Sequence, residues 1–292
     1  MAETPTDFDS LWDYEHPGET EIKFRELLPA ALSGGDKSYH AQLLTQIARA
    51  EGLQRKFEEA HQTLYEAEAL LTNDLTRARI RYLLERGRVY NSSGYPAQAK
   101  PFFQQAYELA LASGEDFYAV DAAHMMAIVE SPEQQLAWNL RAIELAEKSA
   151  DPRARKWLGS LLNNLGWTYH DSGQYETALD TFQKALKWRE EQGDAETTRV
   201  ARWCVGRALR SLKRIDEAHA IQTALLREYE ETKEKSAYVY EEMAECLHSL
   251  GRIDEAQPYF ALAYQELSKD TWLQNNEPGR LERLKTLGKV EV

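Results

Sequence analysis

The strongest constraint on this chain is an eight-residue phrase that it writes twice. Ser211-Leu212-Lys213-Arg214-Ile215-Asp216-Glu217-Ala218 returns 38 residues later as Ser249-Leu250-Gly251-Arg252-Ile253-Asp254-Glu255-Ala256, identical at seven of eight positions. Looser copies run Leu53-Gln54-Arg55-Lys56-Phe57-Glu58-Glu59-Ala60, Ser92-Ser93-Gly94-Tyr95-Pro96-Ala97-Gln98-Ala99 and Asp171-Ser172-Gly173-Gln174-Tyr175-Glu176-Thr177-Ala178. Each reads as a short turn followed by the start of a helix with a fixed alanine. A period of this size points to an array of repeated supersecondary units rather than a folded globule.

With the alanine as anchor, the same residue types recur at the same offsets. Twelve residues before it stand Ala48, Gly87, Gly166, Gly206 and Ala244. Four after it come Leu64, Phe103, Phe182, Gln222 and Phe260, and seven after it Ala67, Ala106, Ala185, Leu225 and Ala263. Positions four and seven apart share one helix face, so small residues let two helix backbones approach while the large one plugs the gap. An ordinary bundle with alanine-rich faces has no need of the same offsets five times over.

In these residues the chain resembles the tetratricopeptide repeat family, over roughly residues 39–267. The fullest copy of the family's signature is Leu162, Leu165-Gly166, Tyr169, Ala178, Phe182 and Ala185. The resemblance implies an all-α fold, a right-handed superhelical solenoid of antiparallel helix pairs with about fourteen helices. The chain departs from the pattern at one repeat, where Gln135 stands in place of the anchor alanine. Counted through it, the steps between anchors are 39, 36, 43, 40 and 38, all above the family's usual unit of about 34. Either the stretches after the second helices, such as Ala112-Ser113-Gly114-Glu115 and Glu191-Gln192-Gly193-Asp194, or longer helices take up the excess.

In the irregular repeat, Ala123, Met126 and Ala127 fit a first helix, and Leu136, Ala142 and Ile143 a second. Only eight residues separate Ala127 from Gln135, so Glu130-Ser131-Pro132-Glu133 is a tight junction, with Ser131 as N-cap and Pro132 in the first helical position. Asp194, Gly193 and Gly114 supply similar stops and starts elsewhere. Glu19–Ala31 reads as a helix at one end. Arg280–Leu287 reads as a short cap at the other, after the breaker stretch Asn275-Asn276-Glu277-Pro278-Gly279. We expect a flexible N-terminus over 1–17 and a single solenoid domain over 18–289, of about six helix pairs plus capping helices.

Composition narrows the function classes. Hydrophobic residues make up 43% of the chain, enough for a core, and nine prolines with fifteen glycines are too few for disorder or a turn-rich all-β protein. Met1–Ser10 is acidic and polar, unlike a signal peptide, and no run approaches the roughly 18–20 apolar residues of a membrane span. Cys204 and Cys246 fall inside helical patterns as small core residues. The expectation is a cytoplasmic protein. A net charge of −13 argues against nucleic acid or anionic membrane as a partner.

No catalytic constellation is written in the sequence: no glycine-rich phosphate loop, no strand–turn–helix nucleophile site and no paired CxxC motifs. The seven histidines, His16, His40, His61, His124, His170, His219 and His248, include no two at metal-binding helical spacing. Asn91-Ser92-Ser93 has no glycosylation meaning in a cytoplasmic chain. The expectation is a protein without catalysis, cofactor or metal.

The resemblance implies that the first helix of each repeat lines a concave groove. Positions three before, one after and four after the small residue face it. These are Thr45, Arg49 and Gly52; Leu84, Arg88 and Asn91; His124 and Ile128; Asn163, Trp167 and His170; Trp203, Arg207 and Arg210; Glu241, Glu245 and His248. Arg81, six before Gly87, lies close to the same face. Five arginines thus face the groove of an acidic chain, with Trp167, Trp203 and histidines between them. In one reading the arginines fork onto the carboxylates of an extended, acidic peptide or protein segment and the tryptophans pack its apolar side chains. In the other they pair with Glu85, Asp121, Asp171 and Glu241 of neighbouring helices. Asn163 and Asn164 suggest the asparagines with which some family members grip a C-terminal carboxylate, but the neighbouring repeats lack the matching lysines. Two functions follow: a scaffold that binds a protein or peptide, or a regulator that changes conformation when a peptide binds. A third, an enzyme hidden on the scaffold, would need His124, His170 or a carboxylate pair with a shifted pKa in a closed pocket, and the sequence offers no sign of it.

Overall fold

The computed structural model describes residues 8–290. These contain seventeen α-helical segments, fourteen of ten residues or more, and no strand. The chain forms two compact units that divide between Leu161 and Leu162.

The first unit opens with a 3-10 turn, Phe8–Leu11, then α1 (Pro17–Glu26) and α2 (Leu28–Gly34). Three helix pairs follow: α3 (Lys37–Leu53) with α4 (Phe57–Leu70), α5 (Thr76–Ser92) with α6 (Pro96–Ser113), and α7 (Asp116–Val129) with α8 (Pro132–Lys148). After them come the short α9 (Pro152–Lys156) and the start of α10 (Leu158–Asp171). In the second unit α10 pairs with α11 (Tyr175–Gln192), α12 (Ala195–Ser211) with α13 (Ile215–Thr232), and α14 (Ala237–Ser249) with α15 (Ile253–Leu267). The unit closes with α16 (Thr271–Asn276) and α17 (Pro278–Gly288).

The repeated phrase is the turn that folds each pair. In five pairs three residues separate the helices, and the middle one, Arg55, Gly94, Gly173, Lys213 or Gly251, is left-handed with φ between 63° and 90°. The next amide then donates back to a carbonyl five residues earlier: Lys56 to Glu51 at 3.0 Å, Gln174 to Tyr169 at 2.9 Å, Arg214 to Leu209 at 3.0 Å. That bond satisfies a helix-end carbonyl that would otherwise be left unpaired. The α7–α8 junction is tighter, as its spacing predicts, with two extended residues, Glu130 and Ser131, and Pro132 at the first helical position. Ser131 holds the N-cap position, but its side chain does not bond the helix amides, whereas Asp194 does cap α12 through the Thr197 amide at 2.9 Å. Gly114 and Gly193 end α6 and α11 in left-handed conformation. The excess repeat length lies in the helices: α6 and α11 each run 18 residues, and only two residues link each to the next pair.

Packing follows the offsets. The anchors Ala60, Ala99, Ala178, Ala218 and Ala256 are buried, as are Leu64, Phe103, Phe182, Gln222 and Phe260 four residues on. A Cβ on Gly87 would stand 2.5 Å from the Phe103 ring, and one on Gly166 2.4 Å from the Phe182 ring, so only glycine admits the phenyl group there. Burying each such ring contributes about 1.5–3 kcal/mol.

The ends differ from expectation in detail. The helix read over Glu19–Ala31 is two segments broken at Leu27, because Pro29 has no amide proton to continue the ladder. The predicted breaker at 275–279 narrows to Glu277 alone, since α16 extends through Asn276 and α17 begins at Pro278. Of the N-terminal stretch 1–17, residues 1–7 lie outside the described residues. Phe8 is buried, with its ring centroid 4.9 Å from Tyr39 in a stacked arrangement and 6.4 Å from Phe24 edge-on.

Candidate functional site

Side chains one position after the small residue of one repeat meet side chains two before the small residue of the next. In the first unit Arg49 on α3 reaches Glu85 on α5 at 3.3 Å, and Arg88 on α5 forks onto Asp121 on α7 at 2.5 and 2.6 Å. Glu85 and Asp121 are almost fully buried, so each guanidinium sits in a geometry its carboxylate fixes. Arg81 is itself buried and donates to the Tyr118 hydroxyl at 2.7 Å. Asn91 is half-buried one turn beyond Arg88. The His124 ring stands 5.2 Å from Trp157, and burial holds its pKa below the usual imidazole range.

The N-terminal stretch lies on this same face. The Arg49 guanidinium is 5.6 Å from the Trp12 ring centre and 5.5 Å from that of Tyr14, the two rings stack at 4.8 Å, and Arg81 lies 5.6 Å from Phe8. The Trp12 indole N–H donates to Gln46 at 2.9 Å. Thus Arg49 and Arg81, read from the sequence as ligand contacts, carry aromatic side chains of their own chain.

In the second unit the charged rung recurs. Arg210 on α12 forks onto Glu242 on α14 at 2.7 and 2.8 Å, and Arg207 reaches the same carboxylate at 3.1 Å. The expected partner Glu241 instead takes Arg280 of α17 at 2.8 Å, and Glu245 takes Arg283. Asp171, also expected to hold an arginine, lies 3.5 Å from His170. The His170 Nε2 is 2.9 Å from the Ser211 hydroxyl, to which Arg207 donates at 2.8 Å.

Beside these pairs runs an aromatic row across three consecutive first helices. Trp167 on α10 and Trp203 on α12 have ring centres 5.8 Å apart, and Trp203 meets Tyr238 on α14 at 5.9 Å. The Trp203 indole donates to the Tyr238 carbonyl at 3.0 Å, which fixes its ring, and 43% of Tyr238 remains exposed. Asn163 accepts from the Cys204 thiol at 3.2 Å. Burial pushes the thiols of Cys204 and Cys246 up to about 12, so neither is a nucleophile at neutral pH.

In α7 the structure puts Ala123, not Ala127, at the small-residue position, one turn earlier than the sequence reading, since Asp121 meets Arg88 as Glu85 meets Arg49. Counted so, Tyr238 and Phe117 both stand six before their small residues, as Arg81 does, and the offset rule missed them. It also missed Glu242, two before Ala244, the same offset that places Glu85 and Asp121. Trp12, Tyr14 and Trp157 lie outside the offset pattern and left no periodic signal. Among the described residues no group of three His, Cys, Asp or Glu gathers as a metal site, and no helix is long and apolar enough to cross a membrane.

Comparison with known proteins places this geometry. Residues 157–231 and 80–112 each match a family model described as a tetratricopeptide repeat. No curated protein matches the chain in sequence. Among solved structures, the apo form of RapI is 14% identical, with a TM-score of 0.76 over 97% of this chain and 80% of its own. A signal-transduction ATPase from Pyrococcus horikoshii with a tetratricopeptide repeat sensor is 14% identical, with a TM-score of 0.70 over 92% of this chain, which spans 41% of that protein. NprR, solved with its cognate peptide NprX, is 14% identical, with a TM-score of 0.52 over 97% of this chain and 81% of its own. At these identities the likeness is one of fold.

Proposed function

Because the chain belongs to the tetratricopeptide repeat family, we propose that it is a non-catalytic scaffold that holds a protein or an extended peptide on the first-helix face. The observation that carries this reading is the row Trp167–Trp203–Tyr238. Aromatic rings supply large, stiff contact area at small entropic cost, and such residues dominate binding surfaces. The groove arginines serve a different end. Arg88 holds Asp121, and Arg207 and Arg210 share Glu242, so a ligand that took these guanidiniums would strip buried acids of their partners. On this reading contact is made by stacking along the row, and the arginine pairs keep successive first helices in place.

A second reading makes the chain a switch that changes conformation when a peptide binds. It draws on NprR, a similar structure solved with its cognate peptide. Nucleic acid is disfavoured by the net charge of −13.

The test is a peptide-display selection on the intact chain, followed by affinity measurements on Trp203→Ala with helicity checked by circular dichroism. Selected peptides should bind the variant about tenfold or more weakly. Affinity unchanged by loss of the ring removes the aromatic row from the site. A change in radius of gyration on adding the same peptides favours the switch.

A further inference from the structure

Within the first unit, one cavity combines aromatic walls with two cations that stand outside the buried arginine pairs. It measures about 480 Å³ and is lined by Tyr14, Phe117, Arg153, Lys156, Trp157 and Ser160. That volume falls in the range of about 300–1,000 Å³ typical of ligand sites. Phe117 stands at the start of α7, Lys156 ends α9, and Trp157 follows it directly. The Arg153 guanidinium lies 5.0 Å from the Phe117 ring centre and is steered by Asp151 at 2.8 Å. Among the described residues no carboxylate lines the cavity and Lys156 makes no ion pair.

In a chain of net charge −13, this concavity offers an exposed Lys156 that no acid answers and an Arg153 held by one partly exposed carboxylate, a balance that favours negative charge. Three aromatic walls select for a flat apolar side chain beside that charge. The chain's own N-terminal stretch shows the aromatic half of this preference, while its Asp13 carboxylate turns to His16. Trp12-Asp13-Tyr14-Glu15 alternates aromatic and acidic residues, and it lays Trp12 and Tyr14 against Arg49 at the edge of this cavity.

The geometry points to a site for an acidic–aromatic peptide segment, in which one aromatic side chain enters between Phe117 and Trp157 and the flanking carboxylates meet Lys156 and Arg153. This rests on the reading of the chain as a peptide-binding scaffold, and it moves the acid-recognising contacts from the buried arginine pairs to the exposed cations of α9.

The experiment uses the full chain and a dye-labelled, end-capped peptide of sequence Gly-Glu-Trp-Glu-Gly-Ser, read by fluorescence anisotropy at low salt. Control probes replace Trp by Ala or both Glu by Lys. The parent probe should bind saturably, more weakly as salt rises. Both control probes, and the Lys156→Glu variant with the parent probe, should show about tenfold or greater weakening. Lys156 is exposed, so its substitution leaves the core untouched, and Lys184→Glu, the same charge reversal at an exposed position of α11, should bind the parent probe as the wild type does. Equal affinity for the lysine probe, or for Lys156→Glu, overturns the site. Absence of binding to the wild type overturns it too, while the scaffold reading stands or falls on peptides selected by display. Loss on Trp203→Ala with Lys156→Glu unaffected overturns this site and leaves the scaffold standing.

Discussion

Two adjacent helix pairs of the second unit use the same offsets with different chemistry. In α10–α11, Gly166 faces the fully buried Phe182 ring and the turn passes through Gly173 at φ 77°. In α12–α13, Gly206 faces Gln222, whose amide nitrogen would lie 2.5 Å from an added Cβ, and the turn passes through Lys213 at φ 63°. Gln222 is fully buried, and neither its nitrogen nor its oxygen has a hydrogen-bond partner among the described residues. One pair follows the repeat pattern at all three points. The other keeps its geometry while carrying an unsatisfied amide and a side chain in a left-handed turn, each of which costs stability. The period therefore dictates where a plug and a turn stand, and the neighbouring repeats hold that geometry even where the local residue opposes it.

The largest test of this contrast removes the plug that works. Phe182→Ala should lower stability by about 3–5 kcal/mol, because the ring fills space that the facing glycine cannot close. Chemical denaturation with circular dichroism measures it. Gln222→Ala should cost far less, since truncation also removes a buried amide without partners. Equal losses would mean that the two plugs pack alike and the comparison fails.

Reversing the sign is the sharper test. Gln222→Leu keeps the volume and discards the amide, so it should raise stability by about 1–2 kcal/mol. A loss would show that a buried water or a partner group satisfies Gln222. At the turn, Lys213→Gly should raise stability by about 0.5–1 kcal/mol. Relief of the left-handed strain outweighs the added freedom of glycine in the unfolded chain. Thermal melts beside Gly173→Ala, which should fall, complete the comparison.

These contrasts also mark what the sequence makes legible. Small residues, plugs and turns recur with a fixed period, so their places follow from spacing alone, and the identities of Gln222 and Lys213 already flag the weaker pair. The charged rungs were half legible. Arg49, Arg88 and Arg207 follow directly on their small residues, but whether Arg210 meets Glu241 or Glu242 turns on a one-residue rotation about α14, which the pattern of the arginine helix does not fix. Lys156 and Trp157 belong to the short α9 and the residue that follows it, outside the helix pairs. Trp12 and Tyr14 reach the first-helix face from a segment with no period at all. Contacts of that kind arise from where the chain happens to run, and no offset rule contains them.

The smallest expected effect lies where the two pairs touch. His170, near the end of α10, places its Nε2 2.9 Å from Ser211, which ends α12, and only 8% of its surface is exposed. Burial, aided by the nearby Arg207 charge, holds its pKa below the usual imidazole range, against the opposing pull of Asp171 and Glu242. The sign follows from linkage. The unfolded chain protonates this imidazole near its ordinary pKa of about 6.5, while the folded chain resists until lower pH. Stability from this group is therefore complete above about pH 6.5 and declines as pH falls toward the depressed folded value. Melting temperatures at pH 7.5 and 5.5 should differ, with the acid value lower. His61 and His124 are half-buried with lowered pKa and add to the fall, so the share of His170 is the difference between the wild type and His170→Gln. A variant that loses as much stability in acid as the wild type would show that protonation of His170 does not govern the contact between these two pairs.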